Sequence, residues 1–146
     1  MKNFVLILSA VVLLPACSPE ASTGAEDATV AESTISPVEV VESHMKAFDG
    51  NNMDEIVGDY ADDVVFILPN EVRQGRQAVY DFFAPQRAGD NPPALTYEIE
   101  STEGSVVVAP WALGAGTPGE MTGRDVFIVE DGKIQSQVVF IESVPG

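Results

Sequence analysis

The sequence predicts an α+β domain in which three helices lead into a curled, largely antiparallel sheet. Two observations carry that prediction. Apolar residues recur at helical spacing in three stretches between residues 37 and 87, whereas after Ala94 they alternate with polar ones. Asp131-Gly132 then gives a two-residue type I′ turn signal between two alternating runs, so the chain closes on a hairpin. No internal repeat is present.

The first helix has strong punctuation. Ser36 suits the N-cap, Pro37 the first helical position, and Glu39 completes a capping box. Val41, His44, Met45 and Phe48 share one face up to about Asp49, so His44, the only histidine, points into the core. A second short helix starts at Asn52, carries Ile56, Val57 and Tyr60, and ends at Asp62-Asp63. Val64 to Leu68 reads as an apolar strand closed by Pro69-Asn70. Gly75 precedes a third helix, with Val79, Phe82 and Phe83 as its buried stripe, and the Gly, Asn, Asp and Pro content of residues 87–93 marks a loop.

Leu95, Tyr97 and Ile99 alternate with Thr96, Glu98 and Glu100 ahead of a turn at Glu103-Gly104. The strand from Val106 to Leu113 contains Pro110, which argues for a bulge or an edge position. In the final hairpin the turn sets the register. Val129 faces Ile134, Phe127 faces Ser136, Asp125 faces Val138 and Gly123 faces Phe140, with Met121 and Glu142 last. Ile128/Gln135, Val126/Gln137 and Arg124/Val139 take the more polar face.

The chain has 146 residues, a net charge of −16 and 45% hydrophobic residues. One domain with a real core is therefore expected, over residues 37–146. The acidity excludes binding to nucleic acid or anionic lipid through a basic patch. Residues 1–16 read as an export signal: Lys2 precedes an apolar run too short to span a bilayer. The run ends in Leu14-Pro15-Ala16-Cys17, which resembles a bacterial lipobox and makes Cys17 the lipidation site. Residues 17–36 then form a disordered tether to the cell envelope, on its periplasmic or outer side. With one cysteine no intramolecular disulfide can form.

Asp125 is the main functional signal. A carboxyl group on an apolar sheet face must find a partner, hold a proton or mark a site. His44 is expected to face the same pocket. Three arrangements are open: a structural hydrogen-bonded pair, two donors polarising one ligand oxygen, and a dyad in which Asp125 orients His44 as a base. Glu142 is a weaker acid–base candidate at the pocket mouth. A metal is not expected, because one histidine and one carboxylate fall short of a ligand set, and no cofactor is implied.

Tyr60-Ala61-Asp62-Asp63, the following strand, Gly75-Arg76 opening a helix and the Asp131-Gly132-Lys133-Ile134 hairpin together resemble the nuclear transport factor 2-like superfamily. Within it the chain is most similar to the SnoaL-like ketosteroid isomerases and polyketide cyclases, over residues 38–144. The resemblance implies a cone, a bent sheet wrapped around helices with a deep apolar pocket, often in a homodimer. Met45, Phe66, Leu68, Phe83, Trp111, Phe127 and Phe140 are then the expected pocket residues.

The resemblance also places Asp125 on the isomerase aspartic acid that stays protonated and donates to the substrate carbonyl, a case long used to illustrate a raised carboxyl pKa. The general base of those enzymes falls on Leu68, before Pro69. The oxyanion tyrosine falls on His44 and a supporting tyrosine on Phe83. A leucine cannot shuttle a proton. The expectation is therefore a membrane-tethered domain that holds a small, apolar, uncharged ligand without the isomerase reaction. The alternatives are an isomerase, cyclase or hydrolase built on His44 and Asp125, and a structural dimerisation module.

Overall fold

The computed structural model describes residues 35–89 and 91–146. The export signal, Cys17 and all but the last two residues of the tether lie outside them. The elements run α1 (Pro37–Asp49), α2 (Met53–Gly58), β1 (Tyr60–Leu68), β2 (Glu71–Gln74), α3 (Arg76–Arg87), β3 (Leu95–Tyr97), β4 (Ser101–Glu103), β5 (Val106–Leu113), β6 (Met121–Glu130) and β7 (Lys133–Ser143). No described helix is long and apolar enough to cross a membrane.

The capping box at α1 forms as expected: the Glu39 backbone N–H donates to Ser36 Oγ, and Glu39 Oε2 accepts from the Ser36 backbone at 2.8 Å. Helix α2 starts at the Asn52 cap but stops at Gly58, earlier than the sequence suggests. Tyr60, Asp62 and Asp63 belong to β1, so Asp62-Asp63 is not a helix end. Its apolar neighbours let Tyr60 be read at helical spacing, while burial at the strand start decides its state. Strand β2 has no counterpart in the sequence pattern. Pro69-Asn70 turns the chain straight back, pairing Leu68 with Glu71 and Val65 with Gln74.

The strands form a seven-stranded sheet in the order β2-β1-β7-β6-β5-β3, with β4 also on β5. Every pairing is antiparallel except β1 with β7. The sheet is curved and unclosed, and the helices pack on its concave face around Val41, Ile56, Tyr60, Phe66, Val79 and Phe127. Pro110 lies inside the sheet rather than at an edge. Its carbonyl accepts from Glu98, so its missing N–H faces the same neighbour, and there the partner strand breaks into β3 and β4.

The hairpin turn is as expected, with φ +51° at Asp131 and +69° at Gly132. The register beyond it is not. Val129 pairs with Ile134, but Ile128 pairs with Ser136, so Gln135 is an extra residue. Its amide bonds back to the Glu130 carbonyl at 3.2 Å. From there on β7 is reversed relative to the expectation: Gln137, Val139 and Ile141 turn inward, whereas Val138 and Phe140 turn outward. Phe140 is 52% exposed and Gln137 only 2%. A second irregularity skips Glu142, which sits outside, 3.6 Å from Arg124.

Candidate functional site

Between the helices and the concave sheet face lies a cavity of about 620 Å³. Its wall is mostly apolar and includes Met45, Leu68, Phe83, Trp111, Met121 and Val139. The exposed Asn70 and Glu71 of the β1–β2 turn mark the mouth, and three buried polar side chains, His44, Asp125 and Gln137, share the interior wall. Phe66 and Phe127 are fully buried in the core behind that wall. Phe140 and Glu142, expected at the pocket, lie on the outer face because of the bulges in β7.

Asp125 is 7% exposed. Trp111 Nε1 donates to its Oδ1 at 2.9 Å, and Gln137 Nε2 donates to its Oδ2 at 2.7 Å. Burial pushes the carboxyl pKa up to about 7, against the pull of these two donors. Among the described residues Asp125 forms no ion pair. Both neighbours offer it N–H groups, so when Asp125 carries its proton neither can accept it. The cavity is where an acceptor can stand.

Trp111 reaches Asp125 because Gly123 lies opposite it in the β5–β6 register. A Cβ on Gly123 would collide with the indole ring and with the Phe140 carbonyl. The sequence alone leaves Trp111 as a wall or interface residue. The paired glycine is the signal that its ring lies flat on a backbone.

Behind Asp125 the polar chain continues. Tyr60 Oη donates to Gln137 Oε1 and lies 3.2 Å from His44 Nε2. With the Gln137 amide in this orientation the Tyr60 proton goes to Gln137, so His44 donates through Nε2 and its Nδ1 carries the lone pair. Burial lowers the His44 pKa to about 4, only partly offset by the Ile56 carbonyl, so the ring is neutral at pH 7. Burial likewise holds the Tyr60 hydroxyl protonated well above its ordinary range. Arg76 fixes the start of β1 by donating to the Tyr60 carbonyl at 2.9 Å and pairing with Asp62 at 2.7 Å. His44 and Asp125 therefore face one cavity without touching: Tyr60 and Gln137 lie between them. The sequence pattern marks neither linking residue: Tyr60 falls at helical spacing, and the bulge that turns Gln137 inward has no local signal. Among the described residues no cluster of potential metal ligands occurs.

The SnoaL-like domain family matches residues 41–137, more than half of the chain. The protein belongs to the SnoaL-like domain family. No curated protein matches the chain. Three solved structures place this SnoaL-like domain in the nuclear transport factor 2-like cone fold. A candidate ketosteroid isomerase from Kribbella flavida is 19% identical, with 74% of this chain and 78% of that one covered, at a TM-score of 0.64. The epoxide hydrolase/cyclase-like enzyme SalBIII, which takes part in pyran ring formation in the polyether salinomycin, is 20% identical over 73% and 90%, at 0.62. A protein of unknown function from Cytophaga hutchinsonii is 16% identical over 76% and 94%, at 0.60. At these identities the likeness is one of fold.

Proposed function

We propose that this SnoaL-like domain binds a small, mostly apolar, uncharged molecule bearing one oxygen acceptor, and that Asp125 in its acid form donates to that oxygen. The observation that carries this reading is Asp125 itself: an acid in the wall of an apolar cavity, with both oxygens already receiving N–H donors, so that with the Gln137 amide in this orientation no bonded neighbour accepts its proton. Leu68 lines the same cavity and offers no base, so the isomerase reaction lacks its proton shuttle. A model 3-oxo-Δ5 steroid should accordingly bind without turnover.

Trp111 is the only tryptophan and touches Asp125, so its fluorescence reports on the site. The test compares acetylnaphthalene, ethylnaphthalene and naphthoate, which share a ring system and differ in the oxygen. At about pH 5.5, below the Asp125 midpoint, the ketone should bind roughly three- to tenfold tighter than the hydrocarbon, the worth of one hydrogen bond. Naphthoate should bind worst. Equal affinities for ketone and hydrocarbon would sink the proposal.

The enzyme reading keeps one support, that His44 and Asp125 line one cavity. Turnover of a cyclic ketone or epoxide that is lost in both Asp125→Asn and His44→Ala would decide for it. Membrane attachment through lipidated Cys17 is part of the proposal and is tested by palmitate labelling of wild type against Cys17→Ser. So is a homodimer, supported by Val126, Ile128, Val138 and the exposed Phe140 on the outer sheet face.

A further inference from the structure

The polar chain does not end at His44. Its Nδ1 lies 3.8 Å from Asp59 Oδ2, across the ring from Tyr60. Both atoms are buried, and neither has a hydrogen-bond partner among the described residues. At that distance, with the ring neutral, the contact is neither a hydrogen bond nor an ion pair. Asp59 follows α2 and is partly exposed. The groups facing it are Glu55 on α2, His44 on α1 and Lys133 at the start of β7, whose ammonium bonds the adjacent Gly58 carbonyl at 2.7 Å. A line of polar groups therefore runs from a carboxyl group near the surface, across a 3.8 Å gap to His44 and then through Tyr60 and Gln137, to the carboxyl group in the cavity.

Each of the three linking groups passes a hydrogen bond in one direction only. With the Gln137 amide as placed, Tyr60 donates to Gln137 and Gln137 to Asp125, and the His44 tautomer that completes this setting donates from Nε2 to Tyr60. That leaves a lone pair on Nδ1 facing Asp59, which suits a protonated Asp59 and repels an ionised one. In the reverse setting Gln137 turns its amide over, Tyr60 donates to His44, and Nδ1–H faces an ionised Asp59. Gln137 then presents a carbonyl oxygen to Asp125, which suits only the acid. The donors can serve one carboxylate at a time. Each setting holds one carboxyl proton, so the reversal neither creates nor consumes one.

We propose that Asp59 is the second acid of this site, a positioning residue that titrates as one coupled pair with Asp125 because the His44–Tyr60–Gln137 chain can direct its donors to only one of them. Ionisation of either carboxyl group thereby holds the proton on the other. Burial raises Asp59 to about 6 and Asp125 to about 7, a spacing close enough for such coupling to be visible. The coupling stands without any ligand, so it survives even if the cavity proves to bind nothing.

The experiment is a carbon-13 NMR titration of the Asp59 and Asp125 carboxyl groups in the unliganded domain. In wild type both resonances should move in the same two steps. Asp59→Asn, at a partly exposed site, mimics an acid that never ionises and keeps the chain pointed at Asp125. The Asp125 curve should collapse to one step, with its midpoint lowered by about one unit. Tyr60→Phe cuts the chain without touching either carboxyl group and should likewise give two independent single-step curves. An Asp125 curve that is identical in wild type and Asp59→Asn overturns the proposal. So does coupling that persists in Tyr60→Phe, since a direct field would then be its carrier.

Discussion

Gly123 and Tyr60 are the two positions at which a single atom decides the site. Adding one methyl group at Gly123 forces the Trp111 ring off the β6 backbone, because the Phe140 carbonyl blocks the other side. Gly123→Ala should cost about 1–3 kcal/mol in chemical denaturation and shift the Trp111 emission, as the indole loses Asp125. Removing one oxygen at Tyr60 strands Gln137 Oε1 and the His44 Nε2–H in the interior. Tyr60→Phe should therefore cost about 1–3 kcal/mol although it keeps the ring packing. Both effects would be far smaller if these side chains merely filled space. Asp125 was legible in the sequence because an acid on an apolar strand face is a local contradiction. Gln137 was not, since nothing in an alternating run marks where a residue is skipped.

At the scale of elements, the bulge at Gln135 matters most. It exchanges Phe140 for Val139 and Ile141 on the concave face and delivers Gln137 to Asp125. The turn, the two strands and the first pairs of the hairpin were readable, because Asp-Gly chemistry and period-two alternation are both local. The break in alternation is set by a tertiary need, a donor for a buried acid, and has no local signature. The same holds for β2, four residues whose pairing depends on β1 rather than on their own pattern. The bulged register makes an asymmetric prediction. Val139→Asp should weaken acetylnaphthalene binding at least tenfold, because it places a charge in the cavity wall. Phe140→Asp should leave that binding intact and sediment as a monomer, against the dimer proposed for the wild type. The opposite pattern would restore the unbulged register.

For the molecule as a whole, the buried acids and the histidine set opposing pH trends. Asp125 has a folded midpoint of about 7, above the ordinary range near 3.9, so the native state holds a proton that the unfolded chain releases. Its contribution is complete below about pH 4 and is lost as pH rises toward 7. Asp59, partly exposed and raised to about 6, adds a weaker loss of the same sign. His44, lowered to about 4, acts oppositely: its contribution is present above about pH 6.5 and is lost as pH falls toward 4. Asp125→Asn removes the first trend and, through the coupling, lowers the Asp59 midpoint, which weakens the second loss in the same direction. Its stability relative to wild type should rise between about pH 4 and 7 by a few kcal/mol and then level off. A flat difference across that range would mean that Asp125 ionises as an ordinary surface carboxyl group does.

The central claim is that Asp125 is a neutral donor aimed into an apolar cavity at pH values below its raised midpoint. The carbon-13 titration of its carboxyl group, repeated with saturating acetylnaphthalene, tests this most directly. The account predicts that the last Asp125 step, near pH 7 in the free domain, moves upward when the ketone binds, because the ketone oxygen stabilises the acid form. A midpoint in the ordinary carboxylate range, or one that the bound ketone leaves unmoved, would contradict it.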